Sequence, residues 1–383
     1  MARVSPLHNL HQQAEASISP YGPPEAGVLV VETFGELELE YAALRKGSIL
    51  LDEPQRSVIE VRGGDRQDFL NRMLTQELGA MQPMTVRRSF WLNRKGRIDA
   101  DLRVIEMADR TLLDLDTHAL ERTIDGLRAF IVAEDVTQAS LGESMHRLSL
   151  HGPGAAALLD RVASPRGLAD LAPDHVAMAS IAGRAVVIDR DDATGDPGFS
   201  LSLAAEDALV VYQQLLEAGH DDVSRPAGWH AFNIARIEAG RPLYYLDFGP
   251  TSLPHETGVL RDRVSFTKGC YLGQEIVARM ESRGHSKPSL VALRTELVVT
   301  PGTADELRQP ATGGRIFSAD APDADPIGLV TSSAVSPMLG SLAICFAMVR
   351  PPHNSSGSRV LIEAPDAPVP ATVQPSLPFW SRR

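Results

Sequence analysis

From Val28 onward, short apolar runs of strand character alternate with segments whose apolar residues return every three or four positions. Residues 28–31 read as a strand, followed by an acidic helix through Leu37, Leu39, Tyr41 and Leu44 that Gly47 stops. Residues 57–61 alternate like a half-buried strand. Gly63-Gly64-Asp65 then opens a helix with Asp65 as its N-cap and Phe69, Leu70, Met73 and Leu74 at helical spacing. Two apolar strands flank Asn93-Arg94-Lys95-Gly96 and predict a hairpin over 88–104. A strand at 112–115 and a helix over 120–132 follow. A similar cycle begins at 146–150: strand, Gly152-Pro153-Gly154 turn, helix over 155–162. The order repeats that of 58–74 and is a weak internal repeat. Residues 185–188 and 199–203 read as strands, and 208–216 and 231–239 as helices, the second stopped by Gly240 and Pro242. Residues 1–26 are polar and read as an irregular arm.

Past Glu275 the texture changes. A strand-like stretch over 288–300 meets a Pro301-Gly302 turn, and short strands at 328–331, 342–349, 359–362 and 371–373 are separated by Pro, Gly, Asn and Ser. That pattern predicts a small all-β barrel or sandwich. The expected fold class is α+β: two related α/β subdomains over 1–145 and 146–283, then a β-rich C-terminal domain over 284–383, with the boundary near Gly284.

Composition narrows the function classes. The 383 residues, 43% hydrophobic and 22% charged, suit an ordinary globular protein with a substantial core. A net charge of −12 argues against a general nucleic-acid binder. No run approaches the roughly 18 apolar residues of a membrane span, and the first residues lack the apolar core of a signal peptide. Two distant cysteines make no disulfide framework, so a reducing, cytoplasmic setting is expected. Zinc-type Cys/His pairs, a phosphate-binding Gly-x-x-x-x-Gly-Lys loop and a nucleophile elbow are all missing from the sequence, and no metal site is expected.

Candidate chemistry gathers at Lys268-Gly269-Cys270-Tyr271-Leu272-Gly273-Gln274-Glu275. The stretch holds one of two cysteines and one of four lysines in a chain with 37 basic residues. An ammonium near a thiol favours the reactive thiolate, and Gln274 and Glu275 add an amide and a carboxylate. The plainer reading is a loop whose glycines reverse the chain and whose cysteine packs as a small hydrophobe. Cys345, within an apolar strand, reads as inert core. On the second hairpin strand Asp99 and Asp101 share a face. Asp101 precedes Leu102 and Val104, where the strand enters the core, so it is either a solvated edge carboxylate or a buried functional one.

The same eight residues, with Val264-Ser265-Phe266-Thr267 before them, resemble the signature of the YgfZ family of folate-binding proteins linked to iron–sulfur enzymes. That family is similar to the glycine-cleavage T-protein, an aminomethyltransferase that uses tetrahydrofolate. Further anchors in the same order are residues 69–76, 92–102, 151–156, 236–244, 330–337 and 377–379. Cys270 and Gln274 stand where a T-protein typically shows an acid and a lysine, which favours the YgfZ side.

The resemblance implies a T-protein-like body of two related subdomains, a small C-terminal β-barrel, and tetrahydrofolate or a one-carbon-substituted folate as ligand. It places Asp101 at the catalytic aspartate, and Cys270, Lys268, Gln274 and Glu275 in the signature. Asp101, Asp196, Arg236 and Tyr244 fall at folate-lining positions. Arg236 would pair with a carboxylate and Tyr244 would stack on a ring. Their ordinary alternatives are an ion pair with Glu238 or a neighbouring acid, and a core aromatic. The transferase loop Thr-Gly-Glu-x-Gly-Phe-Glu appears as Thr194-Gly195-Asp196-Pro197-Gly198-Phe199-Ser200, with its final acid replaced by Ser200. Two functions follow as expectations. One is assembly, repair or maintenance of iron–sulfur enzymes with Cys270 as the working thiol and iron–sulfur proteins as partners. The other is folate-dependent aminomethyl or one-carbon transfer.

Overall fold

The computed structural model describes residues 3–22, 27–220, 223–283, 287–300, 302–303 and 308–380. Gly284, Pro301, and Pro23 and Pro24 of the N-terminal arm lie outside the described residues. The chain forms two compact units. One comprises 1–94, 99–232 and 262–272, the other 95–98, 233–261 and 273–383.

Two sheets build the first unit. The five-stranded sheet runs in the order Thr85–Leu92, Ile98–Glu106, Thr111–Asp116, Arg56–Arg62, Thr137–Ser140. The seven-stranded sheet has Gly198–Ala204, Met145–His151 and Ser48–Asp52 as consecutive inner strands, and Ser224–Pro226 joins its edge in parallel. Helices Ala155–Val162 and Ala208–Gly219 bury Leu158, Leu159, Val211 and Leu215 in one cluster with Leu148, Leu150, Ile188 and Leu201 of this sheet. Each such side chain contributes about 1.5–3 kcal/mol of apolar burial. Strand, glycine turn and helix recur at Arg56–Arg62 to Arg66–Met73 and at Met145–His151 to Ala155–Val162. Val58, Val86, Ile105 and Leu112 of the first sheet pack with Val176 and Val187 of the second. Elsewhere the two sheets meet through polar side chains, and the candidate site lies there.

The second unit carries a closed six-stranded barrel, Ser289–Val298, Leu342–Val349, Gly328–Ser336, Arg315–Ser318, Arg359–Ile362 and Val369–Val373. Closure leaves no unpaired edge, which decides for a barrel over a sandwich. Leu293, Ile316, Cys345, Val349 and Ile362 fill it. Burial pushes the Cys345 thiol up to about 12, as suits an inert core cysteine.

Several elements differ from their sequence reading. The arm is ordered into helix His8–Gln13 and strand Ser17–Tyr21, the latter paired with Val28–Thr33. Its few apolar residues are enough because Leu7 is buried in the core and His11 Nε2 reaches Asp52 at 2.8 Å. The helix expected over 120–132 ends at Arg128. The carboxylate of Asp65 stands at its helix start but accepts the Asp135 N–H across a turn, leaving its own helix uncapped by it. Gln274 and Glu275 open helix Gln274–Arg283, so the signature is half loop and half helix.

Candidate functional site

Side-chain alternation along Ile98–Glu106 sends Asp101 and Arg103 to the same face, and along Met145–His151 it does the same for Arg147, Ser149 and His151. Ser200 lies in register with both Ser149 and Asp189. These faces meet in a buried ladder of arginines and carboxylates. Arg103 Nη1 donates to Asp191 at 2.6 Å and to Ser200 Oγ at 3.0 Å, and Arg103 also contacts Asp189. Arg147 Nη2 donates to Ser200 Oγ at 2.6 Å, while the same guanidinium meets Asp114 and lies 2.8 Å from Glu53. Arg88 closes one end on Asp191 at 2.6 Å, and Arg56 the other on Asp114 at 2.6 Å.

Burial alone would raise the carboxyl of Asp191, but Arg103, then Arg88 and Arg147, outweigh it and hold the group well below the usual range. Asp114 is depressed against the same burial cost by Arg147, Arg56 and Arg103. Burial lowers His151, with Glu53 and Asp191 opposing, so its ring is neutral near pH 7. Among the described residues, Ser149 Oγ and His151 Nδ1 are two of the buried polar atoms here that make no hydrogen bond, and neither belongs to an arginine–carboxylate pair. Gly198 is required beside them: an added Cβ would fall 2.2 Å from the Asp191 carbonyl oxygen and 2.4 Å from His151 Nδ1.

Asp101 borders the ladder. Its two oxygens face Arg263 Nε at 3.3 Å and Nη2 at 3.4 Å, and the side chain keeps 13% exposure. The pairing is side-on but long, so lone pairs of the carboxylate remain for a further donor. Asp99, one pleat away, instead accepts from Asn93 Nδ2 at 3.1 Å.

Lys268 and Cys270 lie in the same unit. The Lys268 ammonium is buried and donates to the carbonyl oxygens of Asn71 at 2.6 Å, Leu74 at 2.9 Å and Gln76 at 2.7 Å. These contacts use all three of its N–H donors, and its charge sits on the end of helix Arg66–Met73. Burial pulls its pKa down to about 8, with Glu77 opposing. Cys270, two residues on, is exposed and carries a free thiol. Asp196 is buried and accepts from Arg45 Nη1 at 2.6 Å; Arg45 also donates to the Thr194 carbonyl.

The remaining expected residues belong to the second unit. Arg236 is 1% exposed, with donors on Asn233, the Arg241 carbonyl, Asp247 and Ser332, the last two at 2.6 Å. Its acid is therefore Asp247, and Glu238 accepts instead from the Ser336 hydroxyl. The Tyr244 hydroxyl donates to the Ile98 carbonyl at 3.0 Å, and its ring meets Tyr245 edge-on. Gln274 starts its helix, and Glu275 is exposed and pairs with Arg279 four residues on.

Sequence reading missed Arg263, Arg103, Arg147 and Asp191. The available signal was the string Asp99-Ala100-Asp101-Leu102-Arg103, with charges at period two in a strand that enters the core. Among the described residues, no three His, Cys, Asp or Glu stand together as metal ligands, and no helix is long and apolar enough to cross a membrane.

Comparison with known proteins agrees with this architecture. The GCVT N-terminal domain family matches residues 7–268, and the glycine cleavage T-protein C-terminal barrel domain matches residues 299–380. An aminomethyltransferase of Halalkalibacterium halodurans is 26% identical over 382 residues, covering 99% of this chain and 98% of the relative. One from Geobacillus thermodenitrificans is 26% identical over 387 residues, covering 100% and 99%. The crystal structure of the glycine cleavage system aminomethyltransferase T from Bartonella henselae superposes with a TM-score of 0.86. It is 23% identical and covers 100% of this chain and 99% of that one, a likeness of fold. With its N-terminal domain and its barrel both matched, the chain belongs to the glycine-cleavage T-protein (GcvT) family.

Proposed function

We propose that the protein takes a reduced folate into the polar region between the two sheets of its first unit and uses it in aminomethyl or one-carbon transfer. The observation that carries this reading is Asp101 itself. Arg263 orients its carboxylate from one side through long contacts, and a pterin's adjacent N–H and amino group suit the lone pairs that remain. Ser149 Oγ and His151 Nδ1, buried and without hydrogen-bond partners among the described residues, supply two more polar atoms for a ligand with donors and acceptors. The names of the similar proteins point to the same chemistry. Folate, as substrate, carries the one-carbon unit. The protein's part is to hold the pterin and the amine in one orientation, which is where much of the rate of such a transfer arises. Calorimetric titration with tetrahydrofolate tests the reading, with Asp101→Asn binding about 10- to 100-fold more weakly, as for a lost hydrogen bond to a charged group. Turnover with an aminomethyl-loaded lipoyl protein tests the reaction.

A second reading has its own support. Cys270 is an exposed thiol in a stretch that resembles the signature of folate-binding proteins linked to iron–sulfur enzymes, and the last acid of the transferase loop is replaced by Ser200, whose hydroxyl accepts from two arginines. One cysteine cannot hold a cluster that needs about four ligands. Its thiolate would attack a client's disulfide and release the other thiolate, take sulfane sulfur from a persulfide donor that leaves as a thiolate, or bind a client's metal transiently. In a deletion strain, failure of Cys270→Ala to restore iron–sulfur enzyme activity, with Asp101→Asn still active, would favour this reading. The reverse result would favour the transferase.

A further inference from the structure

Segment 262–271 serves both candidate working groups, Asp101 and Cys270. Arg263, the partner of Asp101, stands near its start and Cys270 near its end. The segment is stitched to residues 71–76 at several points. Thr75 Oγ1 donates to the Arg263 carbonyl at 2.7 Å, Ser265 N–H to the Thr75 carbonyl at 3.0 Å, and Gln76 Nε2 to the Asp262 carbonyl at 3.3 Å. Three further bonds come from one atom, Lys268 Nζ.

We infer that Lys268 is a positioning residue: its ammonium pins to the 71–76 turn the single segment that orients Asp101 and displays Cys270. Three features support this. The carbonyls it meets follow or close helix Arg66–Met73, where the last oxygens lack intrahelical partners and attract a cation. An ammonium has three donors, and three carbonyls take them. The neighbouring Tyr271 ring, itself buried, lies 5.5 Å from Nζ and closes the site from the segment's own side. With its donors committed to the backbone, Lys268 acts on Cys270 by fixing the loop. Its importance to Asp101 and Cys270 rests on the functional reading above, whereas its mechanical role does not.

The test uses the full chain and three readouts: hydrogen-exchange protection of amides in 262–271, the iodoacetamide alkylation rate of native Cys270, and tetrahydrofolate affinity. Lys268→Met removes the three charge-assisted bonds. It is expected to lower protection across the segment by at least about 10- to 100-fold, the net worth of a single such bond, and to shift both the alkylation rate and the folate affinity. Lys268→Arg, which keeps a buried cation with several donors, restores most of each. Should Lys268→Met fail to fold, Lys268→Gln takes its place: with two uncharged donors it should still show lower protection and a shifted alkylation rate relative to wild type. Wild-type protection and alkylation in a folded Lys268→Met or Lys268→Gln chain would overturn the inference. Loss of protection in a chain whose wild type binds no folate would instead leave the pin intact and sink the folate reading.

Discussion

Two arginine–aspartate pairs invite comparison, Arg236–Asp247 in the second unit and Arg263–Asp101 in the first. In the former both side chains are essentially inaccessible, the contact is 2.6 Å, and the guanidinium also binds Asn233, the Arg241 carbonyl and Ser332. Asp247 is equally committed, taking the Leu243 N–H and the Thr331 and Ser332 hydroxyls. Asp247 has no lone pair left for a ligand, and four of the five guanidinium donors are spent within the fold. The other pair is long and partly exposed, with carboxylate lone pairs in reserve. Both arginines look alike in sequence. What separates a joint of the fold from a candidate working group is how much hydrogen-bonding capacity the protein has left unused.

The contrast can be broken in order of severity. Arg236→Met strands Asp247 as an unpaired buried charge, and a loss of about 3–5 kcal/mol is expected in denaturant unfolding. Ser200→Ala removes the acceptor shared by Arg103 and Arg147 and should cost about 1–3 kcal/mol, read the same way. Restored stability in Ser200→Glu would show that the two arginines still accept the acid found in the transferase loop.

A smaller, graded effect is expected from acid. Asp114 and Asp191 have folded-state pKa values below their unfolded values. Their stabilisation is therefore complete above the ordinary carboxyl pKa of about 3.9 and is lost as pH falls below it. Unfolding midpoints should fall steeply under about pH 4, on top of a shallower decline below about pH 6.5, where the unfolded chain protonates His151 before the folded one does. Smallest of all, Glu275→Ala removes only an exposed pair within one helix, and no measurable shift in the midpoint is expected.

Much of the fold was legible because its strands and helices carry clear periodicity. The strand Leu342–Val349 and the helix Ala155–Val162 match their expected bounds. The misses have two causes. Ser17–Tyr21 and Thr137–Ser140 are short and polar, and gain order from pairing with partner strands; Ser48–Asp52 and Val176–Ile181 are largely apolar but too short for their periodicity to mark them as strands. For the site, residue type identified Asp101, Cys270 and Lys268 as chemistry-bearing. It could not tell that Lys268 spends its donors on carbonyls 192 to 197 residues away. Nor could it tell that Asp101 would be met by Arg263, because such partners are set by tertiary packing alone.

Asp101 is the proposed folate-binding carboxylate, and one titration addresses that role directly. Tetrahydrofolate is titrated calorimetrically into wild type and Asp101→Asn, with unfolding midpoints measured in parallel. The expected result is saturable binding to wild type, weakened about 10- to 100-fold by the substitution with the midpoint little changed. Equal affinity in the two chains, or no binding to wild type, would contradict it.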